Sequence, residues 1–508
     1  MNIIDILLPT IVFTVCSLLT VPLLRLVRRT KIDPQRFMVT WILLTFSVAV
    51  VGVFRIATEY FAQSQSFIQI SSVDTILAPL STMFLVDIVS VYMVIAYMVV
   101  GSIACLYGVL HVSSQESLSE RYYALLLMVT GTVIAATFSG DLLTLFIFWE
   151  ATAAGACFLV AYKKTRESLE SALKYLVMVI IASGFIIFGL SLIYGLTGSL
   201  NFWTVKEILL TTSNPQLLLV AFAFIIAGYA IETAIVPFHM WMPDAYTAAP
   251  DSASAFLSAI VDQGSYYVLL RVLLFILTPT AVVDWRFTVA IFSALTMTVG
   301  NLFALAQTNV KRMISYVCIA DIGYNLIAIT SITSIGLSGN LFFFFVAAVE
   351  TALAFMAIGV FRRMGLETLE DLSGMGRKMP LTSFAFVCAA FSFSGVPLFA
   401  GFIAKYMVFT SVLQSSVAWL ALVGVLNSVL QSAYFLRVIH YLLSKNPKND
   451  VDIKEPKKLL VPIYCLVIII IILGLYPDLV LNLLSSAATL LPVSVSYTHL
   501  TLPTTPYV

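Results

Sequence analysis

Stretches of 18 or more predominantly apolar residues recur from end to end of this 508-residue chain. A backbone crossing lipid must satisfy its polar groups within its own segment, so each stretch is restricted to a transmembrane helix. The sequence therefore predicts an all-α integral membrane protein. About fourteen spans are read, at 3–27, 38–56, 82–108, 121–139, 141–162, 171–197, 215–242, 252–279, 286–307, 312–333, 338–361, 380–413, 417–442 and 459–486. Each is long enough for a hydrocarbon core of about 30 Å at about 1.5 Å per residue. With 60% apolar and only 10% charged residues, no soluble fold could cover its core. No small-residue cleavage site follows the first run, which reads as a retained span rather than a signal peptide.

The basic residues sort the loops. Connections after odd-numbered spans hold 21 of the 27 Lys and Arg, including Arg25, Arg28, Lys163, Lys311, Arg362 and Lys457; the opposite side holds Arg55, Lys206 and Arg286. This asymmetry predicts odd-span loops in the cytoplasm and both termini outside. No loop is long enough for a soluble domain, so redox or nucleotide chemistry is expected on another chain, with no cofactor on this one. The balance of 27 basic against 26 acidic residues excludes a nucleic-acid binder that works through bulk charge. Six scattered cysteines and four histidines form no CxxC or Cys/His cluster, which argues against a disulfide framework, zinc site or iron–sulfur centre. From Ser494 the tail turns Thr- and Pro-rich, reads as a short extracytoplasmic or non-native segment, and is set aside.

Ionisable residues inside spans are the most informative, since each costs about 2.5–3.5 kcal/mol at a helix centre. Glu150, Glu232, Asp262, Asp321 and Glu350 are placed near mid-depth, with Lys405 in the outer half of its span; Lys174 and Arg271 lie towards span ends and Asp87 and Asp141 near the outer interface. Five unpaired charged carboxylates would cost about 12–18 kcal/mol on the same scale, so the set must pair or share protons. Any one of them alone could be an interhelical hydrogen bond; the whole set on separate helices suits a proton path.

Two spans carry internal breaks. ETAIVPFHMWMP puts Pro237 inside the seventh, and FSFSGVPLFAGFIAK puts Gly395, Pro397 and Gly401 inside the twelfth. A proline there removes a backbone bond and kinks the helix. Paired interrupted helices in units of opposite orientation point to inverted repeats around a transport site. His239, following Pro237, reads equally as a proton relay or as a partner for freed carbonyls. Lys311 and Arg312 read as positive-inside loop residues, Arg271 as snorkelling to the interface, Phe342 to Phe345 as packing, and Arg437 and His440 as anchors ending the thirteenth span.

FLVDIVSVYMVI, DLLTLFIFWEATAAGACFLVAY, VPFHMWMPDAYTAAP, NVKRMISYVCIADIGY, EDLSGMGRKMPLTS and GVPLFAGFIAKYMVF, in collinear order between about Phe84 and Phe409, resemble the antiporter-like subunits of respiratory complex I, membrane-bound hydrogenases and Mrp-type Na⁺/H⁺ antiporters. The resemblance implies fourteen helices with inverted five-helix repeats in spans 4–8 and 9–13. It divides the chain into three N-terminal spans (1–110), a first repeat (121–279), a second repeat (286–442), a last span (459–486) and the tail (494–508). It also implies a mid-membrane polar axis that moves protons. Glu150 matches the family's fifth-span glutamate, Lys405 the lysine of the broken twelfth helix, and Lys174 with Tyr175 a sixth-span pair. Glu232 stands where a lysine is usual, Gln263 beside Asp262 where the eighth span has a lysine, and Asp321 where a histidine is common. Val346 and Glu350 fall where the eleventh span often has histidine and lysine.

The departures give a chain of carboxylates from Glu150 through Glu232, Asp262 or Asp321 and Glu350 to Lys405. Two facing carboxylates would share a proton rather than form the family's usual ion pair. Sodium coupling, with Na⁺ held at Glu150 and Glu232, and a scaffold that no longer pumps are the competing expectations. The resemblance implies a subunit of a redox-driven ion pump in a prokaryotic plasma membrane, partnered by other membrane subunits, further antiporter-like ones included, and indirectly by peripheral redox subunits. The alternatives are an Mrp-type antiporter subunit and a stand-alone carrier of a small solute.

Overall fold

The computed structural model describes residues 2–63, 67–71, 83–113, 116, 118–210, 214–277, 284–444 and 455–485. The tail from Ser494, with Lys445, Lys448 and Lys454, lies outside these. In chain order the helices are α1 Ile3–Val27, α2 Pro34–Ala62, α3 Ile88–His111, α4 Ser119–Thr137, α5 Leu142–Val160, α6 Arg166–Thr197 and α7 Phe202–Leu210. There follow α8 Pro215–Glu232, α9 Trp241–Ala248, α10 Asp251–Phe256, α11 Asp262–Leu270, α12 Arg286–Ala306, α13 Val310–Ser331 and α14 Ser334–Arg363. The last are α15 Met375–Lys378, α16 Pro380–Phe393, α17 Ala400–Ser411, α18 Trp419–Leu443, α19 Lys457–Leu475 and α20 Asp478–Ser485.

Twelve helices or joined helical stretches among the described residues are long and apolar enough to cross a membrane. The two remaining spans read from sequence fall on α4 and on α16 with α17. The stretches differ in composition according to what surrounds them. Asp251–Leu274 and α13 are wholly buried among other helices and have mean hydropathies of 1.2 and 1.5, whereas α6 and α19, about a third and under half buried, reach 2.7 and 2.8. Lipid tolerates no unpartnered polar group, so polar side chains collect on the helices that lipid does not touch. The Asp251–Leu274 stretch joins α10 to α11 through a π-helical turn at Leu257–Val261, a distortion the apolar pattern does not reveal.

The span expected at 82–108 starts later. Met83–Asp87 is β2, antiparallel to β1 at Phe67–Ser71, and α3 begins only at Ile88. Asp87 sets that start: its Oδ1 accepts from the Ser90 amide at 2.8 Å while Ser90 Oγ accepts from the Asp87 amide at 2.9 Å, a reciprocal cap. The short α7 is a further element absent from the sequence reading.

Both expected breaks are present, and their backbones match. After α8 the Thr233 amide bonds to Tyr229, Ala234 to Ile231, Ile235 to Ala230 and Phe238 to Ile235. After α16 the Ser394 amide bonds to Ala390, Gly395 to Ser392, Val396 to Phe391 and Phe399 to Val396. The two sets coincide at a constant offset of 161 residues. Each closes with a left-handed residue, Ala234 at φ 54° and Gly395 at φ 71°. Such a terminus suits glycine, and alanine there carries a cost of about 1–2 kcal/mol.

A second correspondence ties the starts of α5 and α13. Leu142 N bonds to Leu200 O and Phe202 N to Gly140 O; Val310 N bonds to Glu367 O and Leu369 N to Thr308 O. Asp141 and Asn309 cap the two helices from equivalent places, through the amides of Thr144 and Arg312.

The second break depends on a close approach. A Cβ on Gly401 would lie 2.0 Å from the Ser392 carbonyl oxygen, and the Gly401 amide bonds to Ser392 Oγ at 3.0 Å. Gly401→Ala is therefore expected to destabilise the protein by about 1–3 kcal/mol, the range for an overpacked core, read as a lower thermal transition of the purified protein. An unchanged transition would mean that α16 and α17 do not meet this closely.

Candidate functional site

Glu150 stands in the middle of α5, half-buried, and accepts a hydrogen bond from Ser183 Oγ of α6 at 2.6 Å. Glu232 is the last residue of α8, where the break ends the helix, and is buried. The Trp149 indole is the side-chain donor beside its carboxylate, and Glu150 is the charged group acting on it. The Tyr175 ring stacks on Trp241 at 4.4 Å, and its hydroxyl lies in the field of Glu232, Asp262 and Glu150. Asp262, buried at the start of α11, accepts from the Tyr246 hydroxyl of α9. The α8 break is what lets α9 turn and present Tyr246 to it.

A small cavity of about 10 Å³ separates Asp262 from Asp321 and is lined by both, with Gln263, Tyr266, Cys318, Asn325 and Thr351 among its walls. That volume is at the threshold for one water molecule. Asp321 sits at the centre of α13, and the Lys405 ammonium is the positive charge acting on it. Glu350 on α14 faces both Asp321 and Lys405.

Lys405 lies on α17, one turn past the second break. Its ammonium donates to the Phe393 carbonyl at 2.6 Å, Gln431 Oε1 at 2.5 Å and Ser428 Oγ at 3.3 Å, and lies 4.2 Å from the centre of the Tyr324 ring. The freed carbonyl at the end of α16 is thus used to hold the lysine. All three donors meet neutral acceptors and neither carboxylate is within 4 Å, so the ammonium is solvated by the protein without being locked in an ion pair.

Beyond Lys405 a polar chain continues. Ser428 lies 3.5 Å from the Tyr324 hydroxyl, Asn301 Nδ2 reaches Tyr324 at 3.3 Å and Asn427 Oδ1 at 3.2 Å, and Tyr434 donates to Asn301 Oδ1 at 3.0 Å. Reading only ionisable residues missed Asn301, Asn427 and Gln431. Their signal was an amide inside an apolar span, which lipid would reject as firmly as a charge.

The remaining candidates lie apart. Lys174 is half-exposed at the far end of α6, paired with Glu170 and with Asp244 at 3.1 Å, and Arg312 also binds Asp244 at 2.9 Å. These residues line an open charged cleft of about 320 Å³ with Glu167, Arg362 and Glu367. The buried His239 ring stacks on Phe303 beside the Pro237 carbonyl.

Two expectations are corrected. Arg271 does not snorkel to an interface: it is 2% exposed and binds Asp87 in a fork and the Tyr267 hydroxyl. Asp87 and Asp141, at the starts of α3 and α5, are buried helix caps. Lys311 is no solvated loop residue either. It is wholly buried, donating to the Ala249 carbonyl at 2.6 Å and to Asp251 at 2.9 Å. Asp251 also binds Arg362, and His111 approaches it at 3.7 Å. Asp251 was missed because a carboxylate at a span terminus looks like an ordinary first-turn residue.

Sequence and structure comparisons bear on this arrangement directly. The chain is 32% identical over 399 residues to NADH-quinone oxidoreductase subunit N of Heliobacterium modesticaldum, covering 78% of this chain and 84% of that one. It is 30% identical over 424 residues to F420H2 dehydrogenase subunit N of Methanosarcina mazei, covering 80% and 84%. A chain of the archaeal membrane-bound sulfane sulfur reductase superposes with a TM-score of 0.83 at 28% identity over 96% of both chains. Residues 139–431, which hold Glu150, Glu232, Asp262, Asp321, Glu350 and Lys405, match the family model for the transmembrane region of NADH:quinone oxidoreductase and Mrp antiporter subunits. That match takes in both broken helices and every buried charge between them, and so the chain belongs to this family of antiporter-like membrane subunits.

Proposed function

We propose that this chain conducts protons along the row Glu150, Glu232, Asp262, Asp321, Glu350, Lys405, as one membrane subunit of a larger ion-translocating assembly driven by redox chemistry on other chains. The observation that carries the reading is the run of buried ionisable groups across the centre of the helix bundle, with a water-sized polar cavity where Asp262 and Asp321 meet. Relatives named for NADH–quinone, F420H2 and sulfane sulfur chemistry share this subunit while differing in electron donor or acceptor. That is what a subunit devoted to ion movement would do. The matched breaks support two inverted units, 121–279 and 286–442, between the three N-terminal spans and the last one. The loop charges support an orientation with both termini outside, and the relatives from Heliobacterium modesticaldum and Methanosarcina mazei support a prokaryotic plasma membrane. Tyr175 and Tyr246 border the row as relays or as groups that set its field, whereas Lys174, in the charged cleft, and His239, against Phe303, stand apart from it.

Glu232 provides the test. Its isostere Glu232→Gln keeps the shape and removes the exchangeable acid, and is expected to slow proton translocation by about 10²-fold or more in the assembled complex reconstituted in liposomes with a pH-sensitive dye. Glu232→Lys restores the family's Glu–Lys pairing and is expected to change the pH and Na⁺ dependence of transport. Full rates in both variants would favour a scaffold. A rate that follows Na⁺ rather than pH in the native protein would favour the sodium-coupled, Mrp-type reading.

A further inference from the structure

A slot of about 350 Å³ opens between α8 and α12. It arises from where the small residues of α8 fall. One face of α8 packs closely on α6, where a Cβ on Gly228 would lie 2.5 Å from Ile186. Another face carries Leu219, Ala223, Ile226, Ala227 and Ala230, at the three- and four-residue spacing of a single helix side. Three of these five are alanines, so this face stands back from α12, which packs instead on α13. Leu269 and Leu273 form the floor of the slot, and Val289 and Phe292 of α12 its far wall. Leu219 is 46% exposed, and Phe287 and Ile291, next to the α12 wall, are 60% and 41% exposed. Both helices cross the bilayer, so the mouth opens to hydrocarbon and not to water.

The length of the slot says what enters it. Leu219 and Ala230 are eleven residues apart on α8, about 16 Å at about 1.5 Å per residue, close to half of a hydrocarbon core of about 30 Å. The slot therefore runs from the interface where α8 begins to the break where α8 ends, with Ala230, Ile235 and Phe238 at its inner end. Water finds no set of polar partners against such walls, and an empty space of this size forfeits dispersion contacts on every side. A helix of a neighbouring subunit, about 10–12 Å across, would cover the mouth without entering. We propose that the slot binds one acyl chain of a phospholipid from the leaflet in which α8 begins, its methyl end against the α8 break. The chain and not the headgroup is recognised: Arg286, two residues before Thr288 on the lining, is already paired with Asp284 at 2.6 Å. The inner end is the consequential one. The Ile235 amide bonds to the Ala230 carbonyl and the Phe238 amide to the Ile235 carbonyl, so the residues that meet the tail are those that close the break after Glu232. A bound chain braces that break, and does so whether or not the row conducts protons.

Photolabelling tests it. The purified full-length chain is reconstituted in phosphatidylcholine liposomes doped with phosphatidylcholine that carries a diazirine near the methyl end of one acyl chain, and adducts are located by peptide mass spectrometry. Adducts at Ala230, Ile235 and Phe238 are expected to exceed by about tenfold those at Val429, an ordinary lipid-facing residue of α18 that is 64% exposed. A diazirine near the ester should move the label to Leu219 and Phe222. Ala227→Phe fills the slot and should cut the inner adducts by about tenfold while leaving Val429 unchanged. Ala223→Leu, nearer the mouth and more exposed, should act in the same direction and serves if phenylalanine is not accommodated. Phosphatidylglycerol liposomes should give the same inner labelling. Inner adducts no stronger than those at Val429 would overturn the proposal, as would inner adducts that persist in every folded slot-filling variant. Loss of inner labelling on adding a trace of an isoprenoid alcohol would overturn it too, by assigning the slot to a different class of lipid.

Discussion

Glu150→Gln is expected to lower proton translocation to about one hundredth of the native rate or less, while the chain still assembles with its partners. The structure explains why these effects separate. Ser183 Oγ donates to Glu150 Oε1, and the oxygen of a glutamine side chain accepts the same bond at the same place. The helix pair α5–α6 is therefore undisturbed. What is lost is an acid that can take up and release a proton, a function worth about 10²–10⁴ in rate where a positioned side chain supplies it. Glu232, buried and within the field of Glu150, is then left facing a neutral amide and has no acid with which to share a proton. Complex assembly is read by blue-native electrophoresis and translocation by dye quenching in inverted vesicles. Native rates in an assembled Glu150→Gln complex would rule out the carboxylate row as the route.

The second large effect is on stability, at Asp251. This carboxylate joins three helices to α10: Lys311 at the start of α13, Arg362 at the end of α14 and, more loosely, His111 at the end of α3. The first two helices carry Asp321 and Glu350. Asp251→Asn removes the charge and leaves Lys311, wholly buried, with only the Ala249 carbonyl as a strong partner. Breaking one side of a buried ion pair costs about 3–5 kcal/mol, so the variant should show a much lower thermal transition in detergent and reduced assembly. Arg362 retains Glu367 at 3.1 Å, so the stranded charge is mainly Lys311. Adding Lys311→Met to Asp251→Asn should consequently recover part of the loss. A double variant no more stable than the single one would place the penalty in Arg362 or in helix capping.

Much of the architecture was legible in the chain because the bilayer imposes a simple rule. A segment that crosses lipid must be apolar and helical, so span positions, both breaks and the buried acids could be read from composition and spacing. Met83–Asp87 escaped that reading since an apolar strand and an apolar helix look alike over five residues. Arg271, Lys311 and Asp251 were misread or missed for a related reason. Near a span end, the sequence of a charge pairing with a distant helix is identical to that of a charge reaching water. Asp87 and Arg271 are 184 residues apart, and no local pattern announces the pair.

The sequence by itself determined a many-spanned helical membrane protein with paired broken helices and an uncommon number of internal acids, because hydrophobic length and the cost of buried charge are properties of segments. Only the tertiary structure decided which acids come together, that Lys405 is held by the carbonyl freed at its own break, and that α13 brings Asp321 and Asn325 to one cavity wall opposite Asp262. Those outcomes depend on how helices far apart in the chain rotate against each other. Packing alone fixes that rotation.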